Sequence, residues 1–87
     1  MNHTQIITEF LVEEFLPDVP AESLAADYDL LAGGVIDSLG LLKVIAWLED
    51  RLGVVVEDLE IAPDNFRTVA DMNEFVRRAS RTAERAA

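Results

Sequence analysis

Asp37-Ser38-Leu39 is the segment of this chain whose residue types and spacing can do chemistry. Ser38 sets a hydroxyl at the expected first turn of an amphipathic helix, just after the glycine pair Gly33-Gly34. A helix start carries unpaired backbone N–H groups and the positive end of the helix dipole, both favourable to a phosphate. A serine there is suited to a phosphoester. The rest of the chain supplies no catalytic apparatus, so the expected use of Ser38 is to be modified by another protein. The competing reading makes Ser38 a helix cap and nothing more, the commonest job of a serine before an apolar helix. Its context points the other way: Asp37 is adjacent, a glycine turn precedes it, and Leu39 follows on the outward face.

Other candidate chemistry is poorer. Ser38, His3 and an aspartate lack the Gly-x-Ser-x-Gly elbow and oxyanion-hole pattern of a hydrolase. Asp27-Tyr28-Asp29 lacks the glycine and terminal glutamate of a calcium loop, so it reads as a solvated acidic loop. Asn2-His3-Thr4 matches a glycosylation sequon by chance. With no cysteine there is no disulfide, thiolate metal site or cysteine nucleophile. No catalytic residue and no metal ligand is assigned.

The elements that position Ser38 follow from hydrophobic spacing. Residues about 4–16 form a first helix with Ile6, Ile7, Phe10, Leu11 and Phe15 on one stripe. Pro17 and Pro20 end it and begin a long loop, for which Leu24, Tyr28, Leu30 and Leu31 are the expected anchors. The second helix runs from Ser38 to Leu52 and stops at Gly53. Its core stripe is Leu41, Ile45, Leu48 and Leu52, with Leu42 and Val44 on the flanks. Leu39, Lys43, Ala46, Trp47 and Asp50 lie on the opposite side, and two large apolar residues there suggest a contact surface or a cover of loop residues. Val54-Val55-Val56 reads as an extended connector, because a single strand would have no partner. A short helix is expected over about 60–66. Thr68 then caps a last helix, with Asp71 at the capping-box position and Val69, Met72, Val76 and Ala79 buried, joined by Phe75 at the edge. The fold class is all-α, a small four-helix bundle of three longer helices and one short one. Residues 1–80 form the single domain and 81–87 a frayed tail.

Charge narrows the partners. The net charge is −10, and residues 1–66 hold only Lys43 and Arg51 as bases, whereas 67–87 hold five arginines. Such a surface repels nucleic acid and anionic lipid, and favours partners with basic docking patches. No signal peptide and no membrane span is read, so a cytoplasmic monomer is expected.

Gly33-Gly34-Val35-Ile36-Asp37-Ser38-Leu39-Gly40-Leu41-Leu42 resembles the phosphopantetheine attachment segment of acyl and peptidyl carrier proteins. Helix order, acidity and length extend the resemblance over nearly the whole chain. Pro63-Asp64-Asn65-Phe66-Arg67-Thr68-Val69 is similar to the third-helix region of free-standing polyketide and nonribosomal peptide carriers. The resemblance implies that a phosphopantetheinyl transferase joins the 4'-phosphopantetheine arm of coenzyme A to Ser38, flanked by Asp37 and Leu39. The arm's thiol then carries an acyl or aminoacyl thioester among loading, modifying and condensing enzymes. The second helix is neutral overall, unlike the acidic one typical of fatty-acid carriers, which favours a discrete acyl carrier of specialised metabolism. A peptidyl carrier and a noncatalytic helical interaction domain are the alternatives. Leu39, Lys43, Ala46 and Trp47 are the expected partner face. Any cargo groove would be lined by Leu42, Ile45, Leu59, Ile61 and Phe66, with little volume to spare.

Overall fold

A computed structural model describes residues 3–86. Three α-helices, α1 (Thr4–Phe15), α2 (Ser38–Leu52) and α3 (Val69–Ala86), surround one apolar core. No strand occurs among the described residues. Ile7 and Leu11 of α1, Val44 and Leu48 of α2, and Val69, Met72 and Val76 of α3 are all closed to solvent, as the helical spacing requires. Phe66, on the approach to α3, is fully buried and packs at a tilt on Phe75, ring centroids 5.1 Å apart. Val44 sits deeper than the flank position expected of it, and Leu52 is only partly buried.

The expected short helix over 60–66 is instead two separate 3-10 turns, Asp58–Glu60 and Pro63–Asn65. Pro63 is the reason. It has no N–H to donate, and it drives the preceding residue out of the helical region, so Ala62 is extended at φ −111°, ψ 134°. A further 3-10 turn, Ala21–Ser23, lies in the long loop between α1 and α2. Val54 and Val56 are buried while Val55 faces solvent, an alternation like that of a strand in a connector that forms none. The Glu49 carboxylate accepts from the Val56 N–H at 3.1 Å and so takes the place of a ladder partner.

Thr68 caps α3 as expected, its hydroxyl accepting from the Asp71 N–H at 3.0 Å. Gly53 closes α2 with φ +67°, the left-handed conformation that glycine adopts without strain. The N-terminal end is tied to α3 by the His3 N–H, which donates to Asn73 at 2.8 Å. The backbone of α3 stays helical through Ala86, so residues 81–86 of the expected tail continue the helix, whereas Ala87 lies outside the described residues. Asn2 of the sequon also lies outside them. No described helix is long and apolar enough to cross a membrane.

Candidate functional site

Ser38 is the first residue of α2, but it is not the cap. Asp37 is: its backbone is extended (φ −105°, ψ −170°), and its carboxylate accepts from the Gly40 N–H at 2.7 Å. Its carbonyl accepts from Leu41 N–H at 2.8 Å, closing the first helical turn. One of the four orphan amides of the helix start, that of Gly40, is thus taken up by the Asp37 carboxylate. The reading of Ser38 as only a cap is overturned by this geometry.

What remains is a hydroxyl with no structural duty. Ser38 is exposed, and its side chain makes no hydrogen bond to the described residues. The amides of Ser38 and Leu39 likewise find no acceptor there, which leaves two N–H donors at the positive end of α2 beside the hydroxyl. A phosphodiester on Ser38 would meet both. The neighbouring Asp37 carboxylate is held by Gly40, which directs its charge into the helix start.

The turn before the helix sets the approach. Gly34 adopts φ +76°, and Gly33 passes under the Tyr28 phenol, where a Cβ would collide with the ring oxygen. An open groove of about 290 Å³ lies beside Ser38, lined by Phe15, Gly34, Val35, Asp37, Leu39, Gly40 and Lys43. Gly40 is buried there against Phe15 and Ile36.

The expected partner face divides. Leu39, next to Ser38, is 77% exposed, large for an apolar residue. Ala46 is exposed too. Lys43 stands on the groove rim and pairs with Glu14 of α1. Trp47 is half-buried, stacked on Phe10 of α1 with centroids 4.3 Å apart and planes 15° off parallel. The residues expected around a cargo groove also separate: Ile45 and Phe66 belong to the core, whereas Leu42, Leu59 and Ile61 are exposed, Leu59 at 97%.

One cluster had no counterpart in the sequence reading. The Arg67 guanidinium donates to Asp29 at 3.0 Å and to Asp64 at 3.1 Å. The other Asp29 oxygen accepts from the amides of Leu31 and Ala32. The Ala32 amide lowers the Asp29 carboxyl most, burial opposes it, and the Arg67 hydrogen bond and charge lower it further, so that it stays below its ordinary value. Arg67 is raised by the same two aspartates. Pairs 38 residues apart leave no periodic trace, and the available signal was that Arg67 is the only base between Arg51 and Arg77.

Comparison with known proteins finds a matching family model, related carrier proteins and a similar solved structure. A family model described as "Phosphopantetheine attachment site" matches residues 10–76, which span both the Ser38 segment and the core of α3. The D-alanyl carrier protein of Streptococcus suis is 34% identical over 68 residues, 78% of this chain and 82% of that protein. That of Streptococcus sanguinis is 34% identical over 70 residues, 80% and 85% of the two chains. The solved structure titled "Structure of KstB-PCP(apo)" superposes with a TM-score of 0.79 at 51% identity, covering 92% of this chain and 88% of that one.

Proposed function

Because the chain belongs to the phosphopantetheine attachment family, whose members carry a covalent 4'-phosphopantetheine group, we propose that Ser38 is its attachment residue and that it serves specialised-metabolite assembly. The observation that carries the assignment is the exposed Ser38 hydroxyl, released from capping by Asp37 and set beside two amides that find no acceptor among the described residues. A transferase needs a hydroxyl it can reach, and this one costs the fold nothing to give up. Once attached, the arm contributes a thiol that holds cargo as a thioester. Ser38 anchors the phosphate, the first two α2 amides orient it, and Leu39 is the first apolar contact for an enzyme reaching the arm. The family is one of carriers rather than catalysts, and its members act together with a phosphopantetheinyl transferase and biosynthetic enzymes.

The relatives favour aminoacyl or peptidyl cargo. One group is named for D-alanine, and the solved neighbour's PCP reads as peptidyl carrier protein. An acyl cargo of the polyketide type is the second reading, supported by the neutral α2 and the exposed Leu39. The Asp58–Glu60 and Pro63–Asn65 turns stand where a fourth, short helix would complete a four-helix carrier bundle.

Incubation with coenzyme A and a broad-specificity phosphopantetheinyl transferase, followed by mass spectrometry, tests the assignment. One arm is expected on the wild type and none on Ser38→Ala. An arm on the variant, or none on the wild type, would refute it. Mass analysis after offering aminoacyl and acyl coenzyme A derivatives to loading enzymes then separates the two cargo classes.

A further inference from the structure

We infer that Arg67 is a positioning residue for Ser38, its guanidinium latching the loop that leads into α2 onto the approach to α3. The inference rests on Ser38 being the modified residue.

A continuous series of bonds joins the two. Arg67 donates through one guanidinium nitrogen to Asp29 and through another to Asp64. Asp29 in turn organises the turn that follows it. Its carboxylate accepts from Leu31 at 3.1 Å and Ala32 at 2.8 Å, and its carbonyl accepts from Gly33 at 2.9 Å. The Leu30 carbonyl then receives the amides of Val35 at 2.9 Å and Ile36 at 3.1 Å. Ile36 is buried and adjoins Asp37, the residue that caps α2 and sets where Ser38 stands. A second strut runs in parallel, the Leu30 N–H donating to the Arg67 carbonyl at 2.8 Å. Arg67 therefore grips the start of the 29–36 turn with its side chain and its backbone.

The guanidinium suits this task better than an ammonium would. Its planar fork engages two carboxylates from separate elements at once, one in the loop and one in the Pro63–Asn65 turn. All three groups are substantially solvent-exposed, so the pairs contribute little to global stability. Their effect is local. They limit how far the Gly33-Gly34 turn swings, and hence how reproducibly the Ser38 hydroxyl is presented to an enzyme docked on α2.

Arg67→Ala, Arg67→Lys and Asp64→Asn, read by amide hydrogen exchange and by transferase kinetics, provide the test. In Arg67→Ala the Val35 and Ile36 amides should exchange severalfold faster, while those of Ile7 and Leu11 in α1 stay as in the wild type. The transferase kcat should fall about threefold to tenfold with KM little changed, because presentation is lost rather than docking. Arg67→Lys should restore part of kcat, and Asp64→Asn, which spares the Asp29 pair, should keep most of it. Unchanged exchange at Val35 and Ile36, or a wild-type kcat in Arg67→Ala, would overturn the inference. Faster exchange spread equally over α1 would also overturn it, by showing a general structural role. If the wild type takes no arm, the attachment reading fails, and the latch is judged by the amides alone.

Discussion

Asp37 rather than Ser38 caps α2, which leaves the serine free for its proposed role, a division that sequence alone could not assign. Both are good capping residues and they stand side by side, so spacing left the cap one position uncertain. The backbone decides it: Asp37 is extended and Ser38 is helical. The substitution energies should therefore separate. Asp37→Ala should lower stability by about 0.5–2 kcal/mol, the usual loss for a cap. Ser38→Ala should stay within about 0.5 kcal/mol of wild type, as expected for an exposed residue whose side chain makes no hydrogen bond to the described residues. Denaturant melting of both variants measures this, and equal losses would mean that the hydroxyl does share the cap. Near the same site, Gly34 adopts φ +76° with open space around its Cα. Gly34→Ala should cost about 1–2 kcal/mol through the left-handed backbone alone, and a neutral substitution in the same melts would show that the turn has an alternative geometry.

Among the elements, α2 does most of the work, with one side in the core and the first turn presenting Ser38 and Leu39. The stripes of all three α-helices were legible because each repeats at helical spacing over several turns. The stretch between α2 and α3 was less so. Pro63 marks a break within it, and only the backbone shows that the break divides the segment into two turns. Trp47 was ambiguous for another reason. It lies away from the α2 core stripe, yet Phe10 reaches across from α1 to cover one face of the indole. The proposed partner face thus has its most exposed large apolar group at Leu39. Leu39→Asp should slow modification and loading while melting as the wild type does, since little of that side chain is buried. Unaltered rates with every partner enzyme would remove this surface from consideration.

For the whole molecule, the charge and the nonlocal contacts matter most. Composition disclosed the first, whereas the isolation of Arg67 among acidic residues only hinted at the second, because the Asp29–Arg67 pair depends on how the long loop folds back. Its pH signature follows from Asp29 being held below the ordinary aspartate value of 3.8. A depressed carboxyl contributes stability that is fully present above its unfolded value and is lost as pH falls through the folded one. The advantage of wild type over Asp29→Asn should therefore be constant near neutrality and shrink below about pH 4. Melting curves across that range check the sign, and an advantage that grows on acidification would contradict it. Deeper in the molecule, Phe66 joins the approach of α3 to the core with no solvent exposure. Phe66→Ala should cost about 3–5 kcal/mol, a large share of the stability of so small a domain.

The chain holds one tyrosine and one tryptophan, and they occupy different places. Tyr28 lies over Gly33 in the loop before α2, whereas Trp47 rests on Phe10 between α1 and α2. Light absorbed by the phenol passes to the indole with an efficiency set by their separation and orientation. The protein therefore carries its own optical ruler from loop to helix pair. A loop that swings should change the energy transfer while direct indole emission holds steady, and unfolding of the helices should change both.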